Sequence, residues 1–215
     1  MHYCISDIHG EYDRYIKMLE KIEFSAEDTL FVLGDVIDRG GHGLDILTDI
    51  MSRPNVKMIL GNHECLLLDS MFFRDISMYR ERWLHNGGAK TRRHLLYFTR
   101  PSRREKILRF CKELPDHLDI EVNGRQFHLV HGFPAQKTED RVWNRPIKGK
   151  SAPLPGKTTI LGHTPTPYLM KIRKSAPFKI WHGDGIIGID CGCGNKTRRR
   201  RLACIRLEDM AEFYV

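Results

Sequence analysis

Short apolar runs in this chain repeatedly stop at a compact polar island. The run TLFVL (29–33) is followed by GD, VKMIL (56–60) by GNHE, and TTIL (158–161) by GHTP. Runs of this length are typical of buried strands, and in layered α/β folds the carboxyl ends of the strands share one edge, where ligands bind. The pattern therefore predicts an α/β protein in which the apolar runs are scaffold and the islands converge on one site.

Periodicity and turn signals place the remaining elements. Apolar side chains at helical spacing predict a helix over about 11–23, and further helices that carry Leu44, Leu47, Ile50 and Met51, and then Leu66, Leu67, Met71 and Phe72. Ser102 with Glu105 is a capping-box pattern that predicts a helix over about 103–114. The sequence NG (123–124) between LDIEV and RQFHLV predicts a β-hairpin, and HYCIS and IIGI predict two more strands.

Length and composition narrow the class of protein. A chain of 215 residues can bury a core without disulfides, and the lack of a linker or repeat predicts a single domain over 1–215. Six cysteines without a signal-peptide pattern or a long apolar stretch predict reduced thiols, a cytoplasmic location and no membrane partner. The net charge of +8 favours anionic partners. Part of it lies in KTRRRR (196–201), which is interpreted as a solvated turn, or alternatively as a guide for an anionic substrate.

Six side chains in the islands are of the kinds that bind metal ions. They are Asp7, His9, Asp35, Asn62, His131 and His163. A nitrogen and oxygen set without thiolate suits Mn, Fe or Zn better than Ca or a sulfur-rich zinc site. Six ligands exceed what one ion with open positions would use, so the set predicts two divalent ions that share a carboxylate. Such a pair makes a nucleophile of a bridging water and holds phosphate oxygens during displacement at phosphorus.

Loss of an alkoxide from phosphorus also needs a proton donor. His63 is adjacent to Asn62 and is placed to act as the general acid, with Asp38 to orient it. Arginine is the usual clamp for the other phosphate oxygens, because its planar fork matches them. The sequence therefore predicts metal-dependent chemistry at a phosphate group.

Taken in order, these motifs resemble a known family. DxH (7–9), GDxxDRG (34–40), GNHE (61–64), HG (131–132) and GHTP (162–165) are similar to those of the metallophosphoesterase superfamily. Within it they resemble the phosphoprotein phosphatase branch, in the short bacterial and phage form typified by bacteriophage lambda phosphatase. WLHNGG (83–88), ELP (113–115), VWNR (142–145) and IDCG (189–192) extend the resemblance over nearly the whole chain. It implies a sandwich of two β-sheets flanked by helices (αββα), with the active site at the carboxyl ends of the strands.

The resemblance also implies a role for each site residue. Asp7 and His9 would hold the first metal, Asp35 would bridge, and Asn62, His131 and His163 would hold the second. His63 would be the proton donor with Asp38 as its support, and Arg39 and Arg145 would bind phosphate. The implied reaction is direct attack by a metal-bridging hydroxide, without a phosphoenzyme. Manganese is the first expectation for both ions, and phosphoproteins, phosphopeptides and small phosphate esters are the expected substrates. His128 and His182 are expected to be structural or exposed.

Leu60 departs from the phosphatase pattern. Phosphoprotein phosphatases usually have arginine immediately before GNHE, whereas leucine there is similar to the diadenosine tetraphosphate hydrolases, which cleave a phosphoanhydride in a dinucleotide. The motifs therefore leave two enzymatic readings open, a serine/threonine phosphatase that could extend to phosphotyrosine, and a symmetrical diadenosine tetraphosphate hydrolase. A third hypothesis, a basic protein that binds nucleic acid through KTRRRR, would leave the aspartate and histidine set without a purpose.

Overall fold

The computed structural model describes residues 1–147, 154–173 and 175–215. Its strands are β1 (His2–Ile5), β2 (Thr29–Val32), β3 (Val56–Met58), β4 (His117–Val122), β5 (Arg125–Val130), β6 (Thr158–Leu161), β7 (Trp181–His182), β8 (Ile186–Gly188), β9 (Ala203–Arg206) and β10 (Glu212–Tyr214). Its helices are α1 (Tyr12–Lys21), α2 (Gly43–Ser52), α3 (Asn62–Phe72), α4 (Ser77–His85), α5 (Ala89–Arg93), α6 (Pro101–Glu113) and α7 (Thr138–Trp143). A π-helical turn at His94–Phe98 and a 3₁₀ turn at Thr166–Tyr168 complete the elements.

The strands form two mixed sheets of five strands each. The first sheet has the order β10-β9-β1-β2-β3, and the second has the order β4-β5-β6-β8-β7. In the first sheet β1, β2 and β3 are parallel, and in the second β5, β6 and β8 are parallel. In the first sheet β9 is antiparallel to both β1 and β10, and in the second the edge pairs β4-β5 and β8-β7 are antiparallel. Each sheet therefore has a set of parallel strands whose carboxyl ends lead into the polar islands.

Two large hydrophobic cores and a small cluster of Val130, Leu161 and Ile186 stabilise the layers in the described residues. One lies between the sheets and includes Cys4 and Phe31 from the first sheet with Phe127 and Ile160 from the second. The larger core lies on the other face of the first sheet, where α1, α2, α3 and α6 pack. Helix α1 shows why it packs there, because its buried Tyr15, Met18 and Leu19 recur three and four residues apart. The predicted α/β class and its two helix-flanked sheets are confirmed.

Some predicted details are wrong. Helix α6 begins at Pro101 with Arg100 as its N-cap, and no side chain caps it, so Ser102 and Glu105 form no capping box. Proline is favoured at the first helical position because its fixed φ suits the helix and it lacks an N–H that would be unpaired there. Met51 and Phe72 belong to the predicted helices but are 36% and 55% exposed. Each is one residue beyond a buried position, which turns it about 100° away from the core.

The predicted hairpin is confirmed. β4 and β5 pair in antiparallel register from His117 opposite Val130 to Val122 opposite Arg125. Asn123 and Gly124 have φ of 50° and 75°, the left-handed pair that a two-residue turn of this kind requires. His128 lies on β5, and His182 on β7 is exposed, as predicted.

All six cysteines are free thiols, and five of them are buried. Within the described residues, no helix combines the length and the apolar character that crossing a membrane would require.

Candidate metal centre

The islands meet at one edge of the two sheets. Asp7 and His9 follow β1, Asp35 follows β2, and Asn62 opens α3 directly after β3. The second sheet contributes His131 after β5 and His163 after β6. Each of these six side chains is at most 7% exposed. Residues that are up to 156 positions apart in sequence therefore make direct contact, as when the His163 N–H donates to Asp7 Oδ2 at 3.0 Å.

Among the residues that the structure describes, two groups of donor atoms could each hold a metal ion. One consists of Asp35, His131 and His163, the other of His9, Asp35 and His63, and within each group the donor atoms lie within 4.8 Å of one another. Ligands about 2.0–2.2 Å from a common ion lie up to about 4.4 Å from one another, which is close to this spacing. Asp35 belongs to both groups, which is the geometry expected of a bridging carboxylate. Asn62 adds an amide oxygen 2.9 Å from His131 Nε2.

The three histidines of the predicted ligand set are oriented as metal ligands are. One ring nitrogen of each forms a hydrogen bond to a main-chain carbonyl oxygen. The bonds join His9 Nδ1 to Ile37 O at 3.0 Å, His131 Nδ1 to Leu33 O at 2.6 Å and His163 Nε2 to Trp143 O at 3.1 Å. The other nitrogen is left for the cluster, an arrangement typical of histidine ligands. His9 Nε2 is buried without a hydrogen-bond partner among the described residues, 3.7 Å from Asp35 Oδ2. The donor set therefore fits a pair of divalent cations.

The charges in the cluster support the same conclusion. Burial lowers the pKa of His131, but the Asp35 carboxylate outweighs it and raises that pKa to about 10. Burial and the neighbouring His131 cation lower the pKa of His163 to about 3. In the protein alone, one proton on His131 thus partly balances the buried carboxylates, a role that divalent cations would take over.

The backbone around the cluster is strained. Asp7, His9, Asp35 and His163 have φ of 53°, 50°, 54° and 57°, and Asp38 and Arg39 have φ of 70° and 61°. Each non-glycine residue in this left-handed region costs about 1–3 kcal/mol and persists only where the surroundings enforce it. Main-chain bonds do so here, with the N–H of Asp7 on Gly34 O and that of His9 on Asp35 O. Strain collected at one edge of a fold is characteristic of functional sites.

Glu64 fixes the loop that carries Asp35. It is fully buried in the first turn of α3 and accepts main-chain N–H bonds from Asp35 at 2.9 Å, Val36 at 3.0 Å and Gly61 at 3.2 Å. Burial and the Asp35 charge raise its pKa to about 7. One carboxylate thereby ties the end of β2 to the start of α3, which sets the position of Asp35 relative to Asn62.

His63 lies between the cluster and the pocket. Its Nδ1 donates to Asp38 Oδ2 at 2.7 Å, and the same oxygen accepts the Trp83 indole N–H at 2.9 Å. Thr91 Oγ1 accepts the Asp38 main-chain N–H at 3.0 Å. Burial opposes protonation of His63, but Asp35 and the Asp38 hydrogen bond raise its pKa. His63 Nε2 lies 3.8 Å from Asp35 Oδ2 and 3.4 Å from Arg39 Nη2, and His63 and Arg39 both line the pocket over the cluster.

A pocket of about 520 Å³ opens over the cluster. Asp7, Asp35, Asn62, His63 and His163 line its floor, and the predicted phosphate ligands Arg39 and Arg145 line its wall and are exposed. The first residues of α3 belong to this floor, so the positive end of that helix adds to the attraction for an anion.

Several residues that shape the site were given no role by the sequence. Ser6 donates to Asp7 Oδ2 at 2.5 Å, and Asp190, which is 4% exposed, lines the pocket. Glu64 and Trp83 lie within the GNHE and WLHNGG motifs, but their functions depend on main-chain and side-chain groups remote in sequence. Conversely, the cluster groups His63 rather than Asp7 with His9 and Asp35, although Asp7 Oδ1 also lies 3.9 Å from His9 Nε2. The roles of all the predicted site residues, His63 and Asp7 among them, stay predictions.

Gly162 offers a direct test of this packing. A Cβ at this position would overlap Ser6 Oγ and Asp7 Oδ2, and would lie 3.0 Å from Ser6 Cβ. We expect Gly162→Ala to displace the Asp7 carboxylate and to weaken binding of the metal pair at least tenfold in calorimetric titration with manganese. Gly41→Ala is the matched control, because a Cβ there meets nothing within 4 Å of the described structure. Equal manganese affinity in the two variants would contradict the assigned position of Asp7.

Comparison with known proteins identifies the family of this constellation. A family model for calcineurin-like phosphoesterases matches residues 3–188. A symmetrical bis(5'-nucleosyl)-tetraphosphatase from Salmonella paratyphi B is 44% identical over 68 residues, which cover 31% of this chain and 24% of that protein. The matched segment thus spans about a quarter of that relative's length.

Two solved structures share the fold at low sequence identity. A crystal structure of a candidate diadenosine tetraphosphatase superposes with a TM-score of 0.65 at 17% identity, covering 100% of this chain and 92% of that one. A Saccharomyces cerevisiae protein serine/threonine phosphatase superposes with a TM-score of 0.60 at 12% identity, covering 95% of this chain and 71% of that one. These similarities extend over the fold as a whole and include neighbours of both enzymatic kinds.

Proposed function

Since this chain belongs to the calcineurin-like phosphoesterase family, we propose that it is a dinuclear-metal-dependent phosphomonoester hydrolase that acts on phosphoserine and phosphothreonine in proteins. Phosphotyrosine and small phosphate esters are secondary substrates of the same site. Manganese is the proposed metal, and the cytoplasm the proposed location. The domain is proposed to extend over residues 1–215, and the similarity to the short bacterial and phage phosphatases stays a prediction.

The protein's own side chains provide binding and proton transfer. Asp7, His9, Asp35, Asn62, His131 and His163 would hold the metal pair, which when bound supplies an activated water and positive charge for the phosphate oxygens. Arg39 and Arg145 would clamp the remaining phosphate oxygens from the wall of the pocket. His63 would give its Nε2 proton to the leaving oxygen, and Asp38 would keep the ring oriented through Nδ1.

The observation that carries the proposal is the support of His63 by Asp38. A serine or threonine alkoxide is a poor leaving group and needs a proton in the transition state. A nucleotide phosphate leaves more easily without one. Asp38 is 0% exposed and holds His63 at 2.7 Å, while Trp83 binds the same carboxylate oxygen. A buried and well-supported acid beside the phosphate position favours a phosphomonoester over a phosphoanhydride.

A second candidate is a symmetrical diadenosine tetraphosphate hydrolase. Leu60 favours it, because this residue removes the additional phosphate clamp usual in phosphoprotein phosphatases. Leu60 is 8% exposed, and its N–H donates to Pro115 O at 2.8 Å. The short but close match to a symmetrical bis(5'-nucleosyl)-tetraphosphatase points to the same alternative.

A substrate panel with manganese separates the two candidates. We expect phosphate release from p-nitrophenyl phosphate and phosphoserine peptides to be lost in a chelator and restored by manganese. We also expect kcat/KM for the phosphopeptides to exceed that for diadenosine tetraphosphate. Cleavage of the dinucleotide to nucleoside diphosphates with a much higher kcat/KM than any phosphopeptide would establish the second candidate instead.

A further inference from the structure

A second groove adjoins the pocket over the metal centre. Its volume is about 1050 Å³, and Arg39 and Asn195 line both the groove and the pocket. Arg39 Nη1 donates to Asn195 Oδ1 at 3.4 Å, so these two side chains form the boundary between them. A substrate whose phosphate is clamped by Arg39 would therefore have its next groups at the entrance of this groove.

The groove has an excess of positive charge. Its charged lining consists of Glu11, Asp13, Arg39, Lys90, Lys196, Arg198 and Arg200, and we call it the basic groove. Arg200 and Glu11 neutralise each other across 2.7 Å. Lys90, Lys196 and Arg198 are exposed, and among the described residues no carboxylate lies within 4.0 Å of their charged atoms. With Arg39 they outnumber the remaining carboxylate, Asp13, so the groove attracts anions.

The arginine run of 198–201 is divided between the fold and this groove. Arg199 and Arg201 donate to main-chain oxygens of a neighbouring loop, at Arg173, Ala176 and Phe178. Their guanidinium groups also lie over the rings of Phe178 at 4.8 Å and Tyr214 at 4.0 Å. Arg198 and Arg200 line the basic groove, and Arg200 also donates to Cys193 O at 2.9 Å. The run lies at a turn, as interpreted, but Arg199 and Arg201 are half-buried rather than fully solvated and anchor the segment that carries the other two.

We propose that the basic groove is a subsite for a second anionic group, so that phosphopeptides with a second phosphorylated residue are the preferred substrates. This inference rests on the proposed function, because it takes a phosphopeptide as the molecule at the metal centre. Lys90, Lys196 and Arg198 are exposed and have long side chains, so they suit a substrate that varies in sequence but carries charge at a suitable distance. Each exposed ion pair contributes a small binding free energy, and several together produce a selectivity that falls as the salt concentration rises.

The test compares peptides that differ only in a second phosphate. One peptide carries a single phosphoserine, and its partners carry another phosphoserine two to five residues away on either side, a reach of about 7–17 Å in extended chain. We expect kcat/KM of the best doubly phosphorylated peptide to exceed that of the single one by about tenfold at low salt, from two or more exposed pairs. Lys90→Glu/Lys196→Glu should bring this ratio close to one, and raising the ionic strength to about 0.5 M should reduce it in the unmodified protein.

A matched variant controls for net charge. Lys106→Glu/Lys179→Glu makes the same change of charge at two exposed lysines that line neither the pocket nor the groove, and it should retain the ratio. A ratio of one in the unmodified protein, with the singly phosphorylated peptide still cleaved, would overturn the groove inference and leave the proposed function standing.

Binding decides the inference if neither peptide is cleaved. The proposed function then fails, but calorimetry on the manganese-loaded protein still measures both peptides. Tighter binding of the doubly phosphorylated peptide, lost in Lys90→Glu/Lys196→Glu, supports the groove. Equal binding of the two peptides overturns it. Diadenosine tetraphosphate is a further test substrate. If the groove variant lowers kcat/KM for this nucleotide but not for the phosphopeptides, the assignment to a phosphopeptide is overturned.

Discussion

Replacing His63 by asparagine is expected to lower kcat for a phosphoserine peptide by about 10²–10⁴-fold, the contribution typical of a positioned general acid. Asparagine keeps a polar group of similar reach but cannot donate a proton from the position of Nε2. The effect should depend on the leaving group. p-Nitrophenolate departs without much help from a proton, so kcat for p-nitrophenyl phosphate should fall much less than kcat for the peptide.

Metal affinity separates this role from the alternative one. His63 lies in the same donor group as His9 and Asp35, so it could be a ligand instead of an acid. If His63 is a proton donor, its replacement should change manganese affinity by no more than about threefold in calorimetric titration. A large fall in affinity, with equal losses for both substrates, would contradict the acid role. His182→Asn makes the same chemical change at an exposed position and should leave both quantities unaltered.

Replacing Glu64 by alanine is expected to lower the free energy of unfolding by about 3–5 kcal/mol, because each buried polar group left without a partner costs about 1–3 kcal/mol. The main-chain N–H groups of Asp35, Val36 and Gly61 would all lose their acceptor. Metal affinity should fall as well, because the loop that carries Asp35 would no longer be tied to α3. Denaturant unfolding and manganese titration measure the two effects.

Two matched changes identify the cause. Glu64→Gln retains one acceptor oxygen and the volume of the side chain, so its loss of stability should be smaller than that of alanine. Glu105→Ala removes a carboxylate whose side chain is 75% exposed and should change stability by less than about 0.5 kcal/mol. Equal stability of Glu64→Ala and Glu105→Ala would show that the buried carboxylate is not what organises the loop.

The outline of the fold and the gathering of the candidate ligands could be predicted from the sequence. A short apolar run followed by a polar island is a local signal, and parallel strands bring their carboxyl ends together. Asp7, Asp35 and His131 follow this rule directly. Glu64 does not, because its partners are main-chain groups of a loop almost 30 residues away, which only the folded chain brings beside it. Ser102 shows the opposite failure. Its capping-box pattern is local, but the helix begins one residue earlier at Pro101, so the pattern is not used.

The arginine run shows a third kind of limit. Four consecutive cations have no periodicity from which their directions can be predicted. Arg199 and Arg201 donate to main-chain oxygens of a neighbouring loop. Arg198 and Arg200 line the basic groove, where Arg200 also donates to Cys193 O at 2.9 Å. Charge alone therefore indicated an anionic partner but not which of the cations would meet it.

The origin of the ligands in both sheets has a mechanical consequence. Asp35 extends from the first sheet, whereas His131 and His163 extend from the second. A cation bound by these three side chains would cross-link the two sheets at the edge where their ligands meet. Metal binding would then stabilise the packing of the two sheets against each other, and the stability of the folded protein would depend on the metal occupancy.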